Sequence, residues 1–144
     1  MEAQELKRGR LIDHIQLVVP DLERSKRFYS AVFEALGVPI AGGAEDFFWA
    51  DEFVVSSKES KAAQGKLTGP THVAFQAQSK QMVEAVYKAG LAAGGTDNGA
   101  PGIRPYHPGY YAAFVLDPDQ NNIEFVYHGP HDRSTPAVTI KFEM

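Results

Sequence analysis

A chain of 144 residues is long enough for one compact domain or for two small halves that share a core. It is 44% hydrophobic and 22% charged with a net charge of −4, and no basic patch stands out, which argues against a nucleic-acid partner. It has no cysteine, which removes disulfides and thiolate metal sites, and no stretch suited to a signal peptide or a membrane span; a cytoplasmic protein is expected.

Residues 1–9 are polar and of mixed charge and read as a flexible leader. LIDHIQLVV (11–19) is short and rich in β-branched residues, so a strand is expected. PDLERSKRFYSAVFEAL (20–36) opens on Pro20-Asp21, ends before Gly37 and spaces Leu22, Phe28, Tyr29, Val32, Phe33 and Leu36 as one helical face. DFFWADEFVVSS (46–57) reads as a hairpin turning near Ala50-Asp51-Glu52, and 62–70 as a linker. THVAFQA (71–77) is a strand, and SKQMVEAVYKAGLAAGG (79–95) a helix between Ser79 and Gly94-Gly95. Residues 96–109, rich in Gly and Pro, read as a loop long enough to be functional. YYAAFVLD (110–117) and NIEFVYH (122–128) are strands around the turn 117–121, and the tail 131–144 offers an edge strand.

The order strand, helix, hairpin occurs twice. Fifty-eight residues separate His14 from His72, Tyr29 from Tyr87 and Gly37 from Gly95, so three chemically distinct positions keep register. Module one spans about 10–62 and module two about 70–130 of a single domain, 10–130.

LIDHIQLVVPDLERSKRFY and FVLDPDQNNIEFV carry a resemblance. Two βαβββ modules, a His in each first strand and a Glu in the last strand resemble the vicinal oxygen chelate superfamily of glyoxalases, bleomycin resistance proteins and extradiol dioxygenases. The resemblance covers about residues 10–128. It implies an α+β fold, two tandem βαβββ modules forming a curved mixed sheet that encloses a metal cup.

The residues support that chemistry by themselves. Alternate strand side chains share a face, so His14 lies with Ile12 and Gln16, His72 with Ala74 and Gln76, and Glu124 with Asn122 and Val126. Glu124 sits between Ile123 and Phe125, where an unpaired carboxylate is costly. Two imidazoles and a carboxylate suit a divalent ion, Fe, Mn, Ni or Zn, with coordination positions left open. The metal set is therefore His14, His72 and Glu124. The resemblance also implies a fourth ligand, as in glyoxalase I, but Val54 or Val55 stands opposite Glu124 and neither binds metal; Ser56 or Glu52 are poor substitutes. Against the dioxygenase pattern, His107 matches the acid–base His, Phe114 replaces its Tyr and Gln120 its turn Gly, with Tyr110 or Tyr111 near enough to supply a hydroxyl. A Gln at 120 points to a slightly altered turn, since Gly tolerates positive φ and Gln does not.

His107 and Glu124 are the candidate catalytic residues, and Arg104, Tyr110, Tyr111 and Gln76 the candidate substrate contacts. His128 and His131 read as solvent-exposed. Phe47, Phe48 and Trp49 read mostly as core, with Phe48 on the face opposite the other two. The resemblance implies lyase- or isomerase-like chemistry on a small oxygen-rich substrate. Its alternatives are an extradiol-type dioxygenase with Fe(II) or Mn(II), and a non-catalytic drug- or metabolite-binding resistance protein. No membrane partner is expected, and open sheet edges point to a homodimer.

Overall fold

Two βαβββ modules follow one another along the chain. The computed structural model describes residues 3–8, 10–131 and 138–143. After β1 (Ala3–Arg8), module one consists of β2 (Ile15–Val18), α1 (Leu22–Leu36), β3 (Gly42–Gly43), β4 (Phe47–Ala50) and β5 (Phe53–Ser56). A short 3-10 turn (Lys61–Ala63) leads to module two: β6 (His72–Gln76), α2 (Lys80–Ala92), β7 (Thr96–Ile103), β8 (Tyr111–Leu116) and β9 (Asn122–Tyr127). Finally β10 (Val138–Glu143) pairs with β1. The module sheets have orders β2-β5-β4-β3 and β6-β9-β8-β7. Each is mixed, because its outermost strand runs parallel to the last one, β2 with β5 and β6 with β9. This is the α+β tandem-module fold expected from the repeat.

Local chemistry sets the helix ends. The Asp21 side chain accepts from the Arg24 backbone N–H and that of Ser79 from Met82, satisfying donors the first turns leave unpaired. Gly37, at φ 77°, closes α1 in the left-handed conformation that glycine adopts without strain. Its repeat partner Gly95 does different work: a Cβ there would lie 2.4 Å from Val115 Cγ1 and 2.7 Å from Phe28 Cε1. Only a glycine lets the end of α2 approach β8 and α1 this closely.

Phe28, Tyr29, Val32, Phe33 and Leu36 bury one stripe of α1; Val83, Val86 and Gly90 bury one of α2. Each large apolar side chain contributes about 1.5–3 kcal/mol by leaving water. Phe33 and Phe53 of module one meet Phe75 of β6 edge to face, with ring centroids 5.2 and 5.1 Å apart. The modules also share a buried polar clamp. Tyr29 Oη donates to Asp117 Oδ2 at 2.6 Å, and Asp117 accepts three further bonds: the backbone N–H groups of Asp119 and Asn121 and the Asn121 amide, each 2.8 Å. Arg24 and Ser25 of α1 then hold Asp119 at 2.8 and 3.2 Å. Burial, then the nearby Asp117, push the Tyr29 phenol well above its ordinary value. Gln120 adopts φ 70°, so this turn keeps a left-handed residue although a side chain is present.

Three expectations change. The loop expected over 96–109 is a strand as far as Ile103, β7, with register shifts between Asp97 and Gly99 and between Gly99 and Gly102 that its glycines permit. Residues 3–8, expected as part of a flexible leader, form β1. The strand expected in the tail pairs with β1 and adds to neither module sheet. The rest of that leader (1, 2 and 9) and tail (132–137 and 144) lies outside the described residues. Among the described residues no helix is long and apolar enough to cross a membrane.

Candidate functional site

Strands β6 and β9 run side by side with His72 opposite Asn122 and Ala74 opposite Glu124. Val73 and Phe75 of β6 pack against the core, which leaves His72, Ala74 and Gln76 exposed on the other face. Glu124 shares that outer face yet is only 3% exposed, because His72 and Tyr110 cover it. His72 Nδ1 donates to the Asn122 carbonyl at 2.9 Å, a partner that can only accept, so Nδ1 carries a hydrogen. Its Nε2 lies 3.1 Å from Glu124 Oε1. In the neutral tautomer a ring lone pair then faces a carboxylate oxygen, an arrangement that calls for a proton or a cation between them. Tyr110 Oη donates to the other oxygen, Oε2. Burial, then Glu124, raise the Tyr110 phenol far above its ordinary value, so it stays a donor at neutral pH.

The segment 104–110 covers this corner. His107 Nδ1 donates to the Pro108 carbonyl at 2.9 Å, and its Nε2 lies 3.0 Å from His128 Nδ1 with the two rings stacked. Tyr110 stands edge-on to both rings, at 5.3 and 5.4 Å. His128, expected to be solvent-exposed, is part of this ring cluster. Counting alternately along the strand from Glu124 through Val126 places it on the same side, which was the available signal. His131 instead bonds the Gly129 carbonyl and packs on Tyr127. Arg104 lies over the Phe114 ring at 5.3 Å, and that ring is stacked on His72 at 6.1 Å. Gln76 is on the His72 face and exposed. Tyr111 goes the other way: its hydroxyl bonds Glu84 of α2 at 2.9 Å and Lys80 lies over its ring.

Module one presents a different face. His14 is exposed just before β2, with Nδ1 2.7 Å from Asp13 Oδ1. Gln16 pairs with Val54 where module two pairs Ala74 with Glu124, so the apolar position opposite Glu124 is Val54. Trp49 is the antiparallel partner of Val54, and Gln16 Nε2 donates to Ser56 Oγ at 2.8 Å. The structure thus brings His72, Glu124 and Tyr110 together, with His107 one ring away, and leaves His14 apart. Among the described residues no group of three or more His, Asp or Glu is placed to hold one metal ion. The cause is packing. The modules meet through Phe33, Phe53 and Phe75; Phe53 and Phe75 alternate with Val54 and with His72 and Ala74, so the Val54 and His72 faces lie on the sides away from this contact. A cleft of about 1000 Å³ between α1 and the end of α2, lined by Arg24, Arg27, Glu34 and Ala93 among others, is remote from these residues.

His14, His72 and Glu124 all fall within residues 11–125, which match the model of the Glyoxalase/Bleomycin resistance protein/Dioxygenase superfamily. The chain belongs to this superfamily. Solved members of similar fold include a glyoxalase/bleomycin resistance protein from Albidiferax ferrireducens T118, at 29% identity, TM-score 0.63 and coverage of 78% of this chain and 94% of that one. A glyoxalase-related enzyme from Fulvimarina pelagi matches at 20% identity and TM-score 0.65, covering 90% and 97%. Lactoylglutathione lyase from Agrobacterium tumefaciens matches at 18% and 0.57, covering 78% and 90%; at such identities the likeness is one of fold. No curated protein matches the chain.

Proposed function

We propose that this superfamily member is a metal-dependent enzyme of lyase or isomerase type acting on a small oxygen-rich molecule. The observation that supports the reading is the 3.1 Å approach of His72 Nε2 to Glu124 Oε1, with Nδ1 fixed by the Asn122 carbonyl. A backbone-anchored imidazole beside a buried carboxylate is a donor pair that suits a divalent ion. His14 of a second copy would supply the third ligand in a homodimer. Leu11 and Ile12 beside His14 are 87% and 48% exposed, Ile103 and Tyr106 beside the roof segment 61% and 68%, and β2 and β6 each end a sheet.

A divalent ion there would hold two vicinal oxygens and stabilise an enolate as a Lewis acid. The chain's own groups position the proton. Tyr110 keeps Glu124 oriented through Oε2, which leaves Oε1 facing His72 Nε2. His107, with Nδ1 committed to the Pro108 carbonyl, has its Nε2 3.0 Å from His128 Nδ1, an imidazole pair that suits a relay at the mouth. A ring-cleaving dioxygenase is the second reading. It is favoured by the Tyr110 hydroxyl on Glu124, which stands in for the one that Phe114 lacks.

Elemental mass spectrometry of untagged, anaerobically purified protein tests the metal. About one equivalent per chain in the parent, lost in His72→Ala and Glu124→Ala, is the expected result. No metal after reconstitution with Fe, Mn, Ni and Zn in turn would overturn the reading. Bound iron with oxygen uptake on a catechol would move it to the dioxygenase.

A further inference from the structure

We infer that Arg104 is an oxyanion anchor, and that the substrate carries a carboxylate or phosphoryl group at the end away from its chelating oxygens. This rests on the metal reading above. Three flat groups are layered on one face of module two: the Arg104 guanidinium over Phe114 at 5.3 Å, and Phe114 on His72 at 6.1 Å with ring planes 25° apart. Phe114 is also the cross-strand partner of Glu124, so the cation stands one aromatic ring from the His72–Glu124 pair.

The backbone reserves space for this cation. A Cβ on Gly99 would lie 3.2 Å from Arg104 Nη2, and one on Gly102 3.0 Å from Nη1. Nη2 donates to the Ala100 carbonyl at 2.8 Å, which fixes the plane of the guanidinium. Its other N–H groups have no acceptor among the described residues and are not sealed from solvent. Asp97 of the same strand is bonded at Oδ1 by Tyr87 Oη at 2.8 Å and by the Gly99 N–H at 2.9 Å, and makes no ion pair with Arg104. A fixed, half-buried guanidinium with a free edge and no carboxylate partner suits bidentate recognition of an oxyanion.

Calorimetric titration tests this with two probes that share a chelating head, acetohydroxamate, which is neutral, and succinate monohydroxamate, which adds a carboxylate. Each is titrated into Mn(II)-loaded and metal-free protein. The carboxylated probe is expected to bind about tenfold more tightly than the neutral one. That advantage should vanish in Arg104→Gln and shrink in Gly102→Ala, whose added Cβ would lie 3.0 Å from Nη1; unchanged melting temperatures confirm that both variants fold. Stronger competition by inorganic phosphate than by succinate would mark the natural group as phosphoryl, the reverse as carboxylate. Equal affinity of the two probes for the parent, an advantage that survives Arg104→Gln, or no binding of the carboxylated probe overturns the anchor and leaves the metal reading standing. An Arg104-dependent advantage that ignores Mn(II), with no metal effect on acetohydroxamate, keeps the anchor and sinks the metal reading.

Discussion

The two modules share one plan and divide the labour. At positions 58 apart, His72 is tied to the Asn122 carbonyl and to Glu124, whereas His14 is exposed beside Asp13. Where module two has Glu124 opposite Ala74, module one has Val54 opposite Gln16. The helix tyrosines divide the other way: Tyr29 is fully buried in the clamp on Asp117, while Tyr87 bonds Asp97 at the surface. The modules share one βαβββ order. Module two carries the His72–Glu124–Tyr110 face, and module one's helix fixes module two's turn through Arg24, Ser25 and Tyr29.

Substitutions that break this division should rank as follows. Asp117→Ala removes the acceptor of four hydrogen bonds, three of them buried, and should cost about 3–5 kcal/mol, read by urea denaturation. Tyr29→Phe, which leaves one oxygen of a buried carboxylate short of a donor, should cost about 1–3 kcal/mol. Tyr87→Phe, at the equivalent position but with its hydroxyl bonded at the surface, should leave the melting temperature nearly unchanged; equal losses at both tyrosines would show the modules to be equivalent supports.

The Tyr29 phenol also sets a pH dependence. Its folded value is raised, so its stabilisation is complete below the ordinary value of 10.0 and is lost as the pH climbs from there toward the folded value. Melting temperatures of the parent should fall more steeply between pH 9 and 11 than those of Tyr29→Phe. A modest gain is expected at Gln120, held at φ 70°: Gln120→Gly should add about 0.5–1 kcal/mol by relieving a left-handed side chain.

Much of the fold was legible because the signals were local. The 58-residue register, the capping residues Asp21 and Ser79 and the stripe on α1 all lie within one element or its repeat. Strand β7 was not, because Gly99, Pro101 and Gly102 suppress the alternation that marks a strand, and it is the register shifts that accommodate them. At the site, strand alternation put His72 and Glu124 in one candidate set, but the parallel register of β6 and β9 that brings them together was not readable from either strand alone. Tyr110 against Tyr111 could not be separated until the end of β8 fixed which one faces α2. The separation of His14 was not legible either. It follows from Phe33, Phe53 and Phe75 packing the modules through their other faces, and sequence spacing carries no record of which faces meet.

We propose that module two's His72 and Glu124 hold a metal with His14 of a second copy. Mixing His14→Ala chains with Glu124→Ala chains, each metal-free alone, and measuring metal in the isolated mixed dimer tests it directly. A shared site predicts one equivalent per mixed dimer, since one of its two sites regains all three ligands. A mixed dimer that binds no metal, while the parent binds one equivalent per chain, would contradict it.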